Sequence, residues 1–342
     1  MINIENIVRP NILELNPYSS ARDEFTGEEG IFLDANENPF GELNRYPDPY
    51  QNELKKKLAE LKGVSANNIF VGNGSDEVID LAFRIFCSPG FDKALTFSPT
   101  YGMYDVSAVI NNVELLKLPL NEDFQIDIEK VQPYFNDDSV KLMFICSPNN
   151  PTGNLMNKSD VEFILTNFKG IVIIDEAYID FAENTSLISL INNYNNLIVS
   201  QTFSKAWGLA AARVGTAYAK EEIITLYNKV KPPYNVSKIN QQAAIDALDN
   251  SSRFDKNLNL ILAEKERLKI ELQEIDLVKK IYPSDANFLL LEVDDANQLY
   301  GDLVYQKIIT RNRNAQVANC LRISVGTSEE NDKLLNALKT VA

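Results

Sequence analysis

The chain has 342 residues, 45% of them hydrophobic, enough for one large domain with its own core and a smaller second one. A formal charge of −15 argues against a nucleic-acid or anionic-membrane partner, so an anionic ligand must be held by a few local arginines and backbone amides against the overall field. There is no histidine, which removes Ser-His-Asp and Cys-His mechanisms and the commonest metal ligand. Proton transfer near neutral pH must then come from a perturbed Lys, Tyr, Cys or carboxylate, or from a cofactor. Cys87, Cys146 and Cys320 lie far apart with no Cys-x-x-Cys pair, so neither a disulfide framework nor a zinc site is expected, and a reducing cytoplasm fits best. The opening Met1-Ile-Asn-Ile-Glu-Asn lacks the basic-then-apolar pattern of a signal peptide. No run of about twenty apolar residues is present to span a membrane.

Residues 1–45, rich in Asn, Pro and Glu, read as an irregular arm. Gln51 to Lys62 has helical periodicity. Ile69-Phe-Val-Gly72 reads as a short strand, followed by Gly74-Ser-Asp-Glu and a helix from Val78 to Phe86. Lys93 to Phe97 is the next strand, then Ser98-Pro-Thr-Tyr101 and a helix to about Ile110. Val113 to Leu118 and Val140 to Cys146 follow as strands, the second breaking at Ser147-Pro-Asn-Asn-Pro-Thr-Gly153. A helix over Ser159–Asn167 leads to a buried strand at Ile171–Ile174, and Leu197–Thr202 is a further strand. Strands alternating with helices predict an α/β domain on a mainly parallel sheet, with polar motifs at strand ends where such sheets bind ligands. A long amphipathic helix from Ser251 to Ile275 leads into a smaller α+β unit. That unit holds Asn287–Val293, Cys320–Val325 and a last helix over Glu329–Leu338. The expected division is an arm over 1–45, a large domain over 46–248 and a small one over 249–342.

Lys205 lies in Gln201-Thr-Phe-Ser-Lys-Ala-Trp-Gly-Leu-Ala-Ala-Ala-Arg-Val-Gly215, small and apolar company in which a lysine loses its proton and attacks a carbonyl. Upstream, Ile171-Val-Ile-Ile-Asp-Glu-Ala-Tyr178 ends a buried run in an acid. Asp175 there either caps the next helix or pairs with a protonated pyridine nitrogen. Gly72-Asn-Gly-Ser-Asp-Glu77 is either a helix start capped by Ser75 or Asp76, or a phosphate site at a helix N-terminus. In Ser147–Gly153 the prolines either aim Asn150 at a ring hydroxyl or make a plain connection. Thr202, Ser204 and Arg213 could hold a phosphate. Tyr101 is either a core aromatic or a ring-stacking one. Each motif is ambiguous alone; together they supply different parts of one cofactor site.

The chain resembles the fold-type I pyridoxal-phosphate-dependent aminotransferases over nearly its whole length. The likeness runs from Arg9-Pro-Asn and Asn16-Pro-Tyr-Ser-Ser-Ala-Arg22 through Leu33-Asp-Ala-Asn-Glu-Asn-Pro-Phe40, Arg45-Tyr-Pro-Asp48 and Ser98-Pro-Thr-Tyr-Gly-Met-Tyr104 to Leu321-Arg-Ile-Ser-Val-Gly-Thr327. The Asn-Glu-Asn-Pro, Arg-Tyr-Pro and Leu-Arg-Ile-Ser-Val-Gly-Thr elements narrow the resemblance to the histidinol-phosphate aminotransferase family. It implies an α/β fold of type I, pyridoxal 5′-phosphate as cofactor, and a homodimer. Lys205 would carry the cofactor covalently, Asp175 would pair with its pyridinium nitrogen, and Asn150 and Tyr178 would contact its O3′. Tyr101 would stack on the ring. The Ser75 and Asp76 backbone, Thr202, Ser204 and Arg213 would hold its phosphate. Tyr46 would reach the phosphate in the neighbouring subunit, and Tyr18 and Arg322 would face the substrate together with Asn150. The implied reaction is transamination of L-histidinol phosphate with 2-oxoglutarate. A threonine-phosphate decarboxylase or an aromatic-amino-acid aminotransferase shares the cofactor chemistry. A cofactor-sensing regulator would need a basic DNA-binding segment that this acidic chain lacks.

Overall fold

A computed structural model describes residues 3–18, 30–182 and 185–341. In chain order the described elements are α1 (Pro10–Leu13), α2 (Asn52–Lys62), β1 (Ile69–Asn73), α3 (Ser75–Phe86), β2 (Lys93–Ser98), α4 (Met103–Ile110), β3 (Glu114–Pro119), α5 (Ile128–Val131), β4 (Val140–Cys146) and α6 (Lys158–Asn167). They continue with β5 (Ile171–Asp175), β6 (Leu197–Thr202), β7 (Val214–Ala219), α7 (Glu221–Val230), α8 (Lys238–Asp249), α9 (Ser251–Gln273), β8 (Val278–Ile281), β9 (Phe288–Val293), α10 (Ala296–Tyr305), β10 (Arg311–Asn312), β11 (Cys320–Ser324) and α11 (Ser328–Val341).

Seven strands form one sheet in the order β1-β7-β6-β5-β4-β2-β3. Only β7 runs against its neighbours; β6, β5, β4, β2 and β3 pair in parallel. Parallel strands joined through crossover helices are covered on both faces, which is why β4 and β5 read as nearly unbroken apolar runs. Their side chains alternate between two cores. Leu142, Phe144, Ile171 and Ile173 point into one, packed by α3 and α7. Met143, Ile145, Val172 and Ile174 point into the other, packed by α2 and α6.

The second sheet is antiparallel, in the order β10-β11-β9-β8. Leu289, Leu291, Leu321 and Ile323 turn one face toward α9, α10 and α11, meeting Leu268, Leu272, Leu299, Leu303, Leu334 and Leu338. Phe288 instead packs with Tyr178, Phe181 and Ala206 from the large-sheet side. This contact brings the small sheet over the C-terminal ends of β4, β5 and β6.

The first part of the arm is more ordered than its composition suggests. Ile4–Asn6 forms a 3₁₀ turn, and Ile4, Ile7, Val8 and Ile12 join the core beneath α3. Arg9 binds it twice, through its amide to the Ile85 carbonyl (3.0 Å) and its guanidinium to the Arg84 carbonyl (2.8 Å). Residues 30–50, by contrast, form no regular element, and Ile31, Leu33 and Phe40 are largely exposed. Gln51, expected to open the next helix, instead adopts a left-handed backbone as the residue before α2.

Candidate active site

Because β1, β4, β5 and β6 point the same way, their C-terminal ends open on one edge of the sheet. The chain leaves β1 at Gly74-Ser75, β4 at Ser147–Gly153, β5 at Asp175 and β6 at Thr202, while β7 enters beside them just after Arg213. One cleft at this edge gathers Ser75, Asp76, Tyr101, Asn150, Asp175, Tyr178, Thr202, Ser204, Lys205 and Arg213.

At one end of the cleft lies an anion cradle. Neither Ser75 nor Asp76 caps α3; Gly74 does, with φ +79°, and Ser75 is the first helical residue. A Cβ on Gly74 would come 2.6 Å from an Arg213 guanidinium nitrogen, and one on Gly215 would come 2.2 Å from the Ser75 amide nitrogen. Two glycines therefore let β7 and the N-terminus of α3 approach until Arg213 and the Ser75 amide share one space. Arg213, itself left-handed at φ +53°, donates to Ser204 Oγ (3.4 Å) and meets Asp76 Oδ2 at 3.4 Å. Thr202 Oγ1 donates to Ser204 Oγ at 3.0 Å. Free amides at a helix start, two hydroxyls and a guanidinium are the donor set that phosphate needs.

Asp175 lies in the middle of the floor and is 2% exposed. Its Oδ1 accepts the Ala177 amide (3.1 Å) and its Oδ2 the Tyr104 hydroxyl (2.8 Å). Burial nonetheless pushes its pKa up to about 6, against those hydrogen bonds and the nearby Lys205 charge. A cation placed in the cleft would favour its charged form, so the residue suits a protonated pyridine nitrogen. Tyr101 donates its hydroxyl to Asp76 Oδ1 at 3.1 Å, and Tyr178 packs edge-on against Phe288, ring centroids 5.1 Å apart.

Lys205 follows β6 with its amine 5.5 Å from the Tyr178 ring centroid. The side chain opens onto the cleft and is exposed there, but protein crowds the amine on enough sides to disfavour its charge. Burial first, and then the neighbouring Arg322, lower its pKa. Arg322 comes from β11, donates to Asn150 Oδ1, and lays its guanidinium 5.2 Å over the Phe288 ring. That leaves the Asn150 side-chain nitrogen as the donor facing elsewhere. Burial lowers the Arg322 pKa, and its Nε is buried with no partner among the described residues. Arg313 stands beside it, lowered to about 10 chiefly by burial and then by Arg322 and Arg311.

Two expected site residues lie elsewhere. Tyr18 is strongly exposed and lines no part of the cleft. Tyr46 stacks on Tyr234 (centroids 4.3 Å, planes at 13°) and lines a separate hollow with Glu37, Arg45 and Lys238. Three site neighbours escape the sequence reading: Tyr104, Cys146 and Arg313. Tyr104, three residues after Tyr101, was visible only as part of the Ser98–Tyr104 motif. Arg313 could have been suspected from the paired arginines in Arg311-Asn-Arg313.

Sheet order, small-sheet position and cleft contents define a pyridoxal-phosphate-dependent transferase of fold type I. Residues 25–338 match the family "Aminotransferase class I and II". The chain is 50% identical over 345 residues to the histidinol-phosphate aminotransferase of Cytophaga hutchinsonii, covering 99% of each. The solved histidinol-phosphate aminotransferase of Clostridium acetobutylicum superposes with a TM-score of 0.81 at 28% identity, covering 87% of this chain and 91% of that one. The Sinorhizobium meliloti histidinol-phosphate aminotransferase, solved in complex with pyridoxal-5′-phosphate, gives 0.80 at 25% identity over 87% and 83%. The chain therefore belongs to the class I and II aminotransferases and, within them, to the histidinol-phosphate aminotransferase family. Its cofactor is pyridoxal 5′-phosphate, and the glycine-lined cradle and the buried Asp175 fit that group. Among the described residues no helix is long and apolar enough to cross a membrane, and no cluster of His, Cys, Asp or Glu could hold a metal.

Proposed function

We propose that the protein transfers the amino group of L-histidinol phosphate to 2-oxoglutarate, giving imidazole acetol phosphate and L-glutamate, as a cytoplasmic step of histidine biosynthesis. One observation carries the reading: a lysine whose pKa is lowered, a buried acid and an anion cradle share a cleft that Arg322 roofs from the second sheet. The choice of amine follows the full-length likeness to the Cytophaga hutchinsonii enzyme.

Bound pyridoxal phosphate supplies an electron-poor ring that takes up electron density when the substrate Cα–H bond breaks. The chain's residues do the rest. The Ser75 and Asp76 backbone, Thr202, Ser204 and Arg213 would hold the phosphate. Asp175 would keep the ring nitrogen protonated, Asn150 and Tyr178 would engage O3′, and Tyr101 would cover a ring face. Lys205, as the free amine, would take the substrate's Cα proton and pass it on to the cofactor. Burial and the Arg322 charge both favour the neutral amine that this needs. Arg322, already desolvated, binds an anionic group of the substrate.

The active unit is a homodimer in this reading. Tyr46 and the exposed Ile31, Leu33 and Phe40 lie on a segment away from their own cleft, as a residue serving the neighbouring subunit would. Tyr18 faces the substrate once the assembly closes.

The test is to add amines singly to the yellow holoenzyme and follow its conversion to the pyridoxamine form. Histidinol phosphate should convert it well ahead of phenylalanine or histidine, and Lys205→Ala should lose both turnover and the visible band. Carbon dioxide release without 2-oxoglutarate would overturn the reading in favour of a decarboxylase.

A further inference from the structure

We propose that Tyr104 is a positioning residue for the reaction, fixing the Asp175 carboxylate in orientation and keeping it ionised. The inference rests on the reading of Asp175 as the partner of the cofactor's ring nitrogen.

Asp175 ends β5 and, among the described residues, has two hydrogen-bond donors. Its Oδ1 takes an amide two residues along the chain, a contact that local backbone geometry supplies. Its Oδ2 takes the Tyr104 hydroxyl, from an element 71 residues away in sequence, at 2.8 Å. The Ala177 contact alone leaves the carboxylate free to swing about its own χ angles. The second donor, anchored on α4, removes that freedom.

Tyr104 is itself held rigidly. It is fully buried, its ring stacks on Phe144 (4.9 Å, 20°), and Tyr101 meets it edge-on (5.7 Å, 89°). Tyr101 is the residue assigned to the cofactor's ring face, and Tyr104 thus braces both that residue and the acid at the ring nitrogen. The Cys146 thiol, also buried, lies against the same hydroxyl and the same carboxylate, and gives its own hydrogen bond to the Pro148 carbonyl. It does not replace the donor that Asp175 needs.

The energetic case has a definite sign. Burial disfavours a charged Asp175, and the Tyr104 hydrogen bond is the largest contribution opposing it. A hydroxyl donating to a carboxylate favours the ionised form. Burial also makes Tyr104 a poorer acid, so the proton stays on the tyrosine and the hydroxyl remains a donor across the working pH range.

Tyr104→Phe tests this, since it removes one oxygen and keeps the stacked ring. Three measurements are made on the purified protein: pyridoxal phosphate affinity of the apoenzyme, the pH midpoint of the holoenzyme's visible absorbance, and kcat and KM for histidinol phosphate. Losing a hydrogen bond to a charged group is worth roughly 10–100-fold, and the lower end applies here because the Ala177 amide still holds Asp175. The expected result is roughly ten-fold weaker cofactor binding, a midpoint displaced by about half a pH unit or more, and kcat lowered about ten-fold with KM within about two-fold. Phe83→Leu, in the same core but away from Asp175, controls for loosening; it should lower the melting temperature without moving the midpoint. A Tyr104→Phe protein with wild-type affinity and midpoint overturns the proposal, as does a Phe83→Leu protein that reproduces its effects. Wild-type protein that fails to bind pyridoxal phosphate at all would instead overturn the assignment of Asp175.

Discussion

The guanidinium of Arg322 donates to the side-chain oxygen of Asn150, joining β11 of the small sheet to the turn after β4 of the large one across 172 residues of sequence. The bond fixes the height of the roof over the cleft. It also places an arginine that is half-buried, stacked on Phe288 and, among the described residues, unpaired at Nε where an anionic substrate group would complete its donors.

A lysine cannot do the same work at this position. It carries charge but has no planar fork with which to span Asn150 and the substrate while lying on an aromatic face. Arg322→Lys should leave pyridoxal phosphate binding within about two-fold of wild type. It should lower kcat/KM for histidinol phosphate by roughly 10–100-fold, the range for losing a hydrogen bond to a charged group. Steady-state kinetics beside a cofactor titration separates the two. If kcat/KM stays within a factor of about three, Arg322 is not the substrate's anchor.

Gly215 is the tightest point of the phosphate cradle. A methyl group there has no flexible side chain to displace, because the atoms it meets are the backbone of Gly74 and Ser75. Gly215→Ala must therefore push β7 away from the start of α3, costing about 1–3 kcal/mol as overpacking does. It should also weaken pyridoxal phosphate binding by more than about ten-fold, since the Ser75 amide and Arg213 move apart. Gly102→Ala meets nothing within 4 Å and has an ordinary helical backbone, so it should change neither. Equal cofactor affinity in the two variants would show that the close approach is not what builds the cradle.

Most parts of the site legible in the sequence share one property: they are polar residues that end or follow an apolar strand, Arg213 before β7 being an exception. Asp175 and Lys205 are conspicuous because each is a charged side chain set among small or apolar sequence neighbours. Tyr104 is hidden for the converse reason, since a tyrosine on a short apolar helix reads as core, and it is core, with only its hydroxyl reaching the acid. The Arg322–Asn150 contact depends on how two sheets dock, which no local pattern encodes. Ile4, Ile7, Val8 and Ile12 had helical spacing, but Asn and Pro among them masked it. Tyr18 and Tyr46 rest on the resemblance alone, because neither lines the cleft.

Glu176, beside Asp175, gives the protein an unusual pH dependence. It is buried and accepts three hydrogen bonds, from Ser186 Oγ (2.7 Å), the Leu187 amide (2.7 Å) and Gln201 Nε2 (2.8 Å), the last on the strand that leads to Lys205. Burial outweighs these bonds and lifts its pKa from 4.5 to about 7, as it lifts Asp175 from 3.8 to about 6. The folded apoenzyme thus keeps protons that the unfolded chain releases at lower pH. Stability from these two groups is fully present below the unfolded values and is lost as pH rises through about 6 and 7. For Glu176 the loss is on the order of 3 kcal/mol. Glu176→Gln resembles the protonated side chain and cannot titrate. Urea unfolding of both apoenzymes at pH 5 and pH 8 should show the variant gaining on wild type at the higher pH, whatever its absolute stability. A stability difference that is the same at both pH values would mean that Glu176 keeps its ordinary acidity in the fold. Saturating pyridoxal phosphate should shrink only the Asp175 share of the slope, because the ring nitrogen gives that carboxylate a cationic partner and Glu176 gains none.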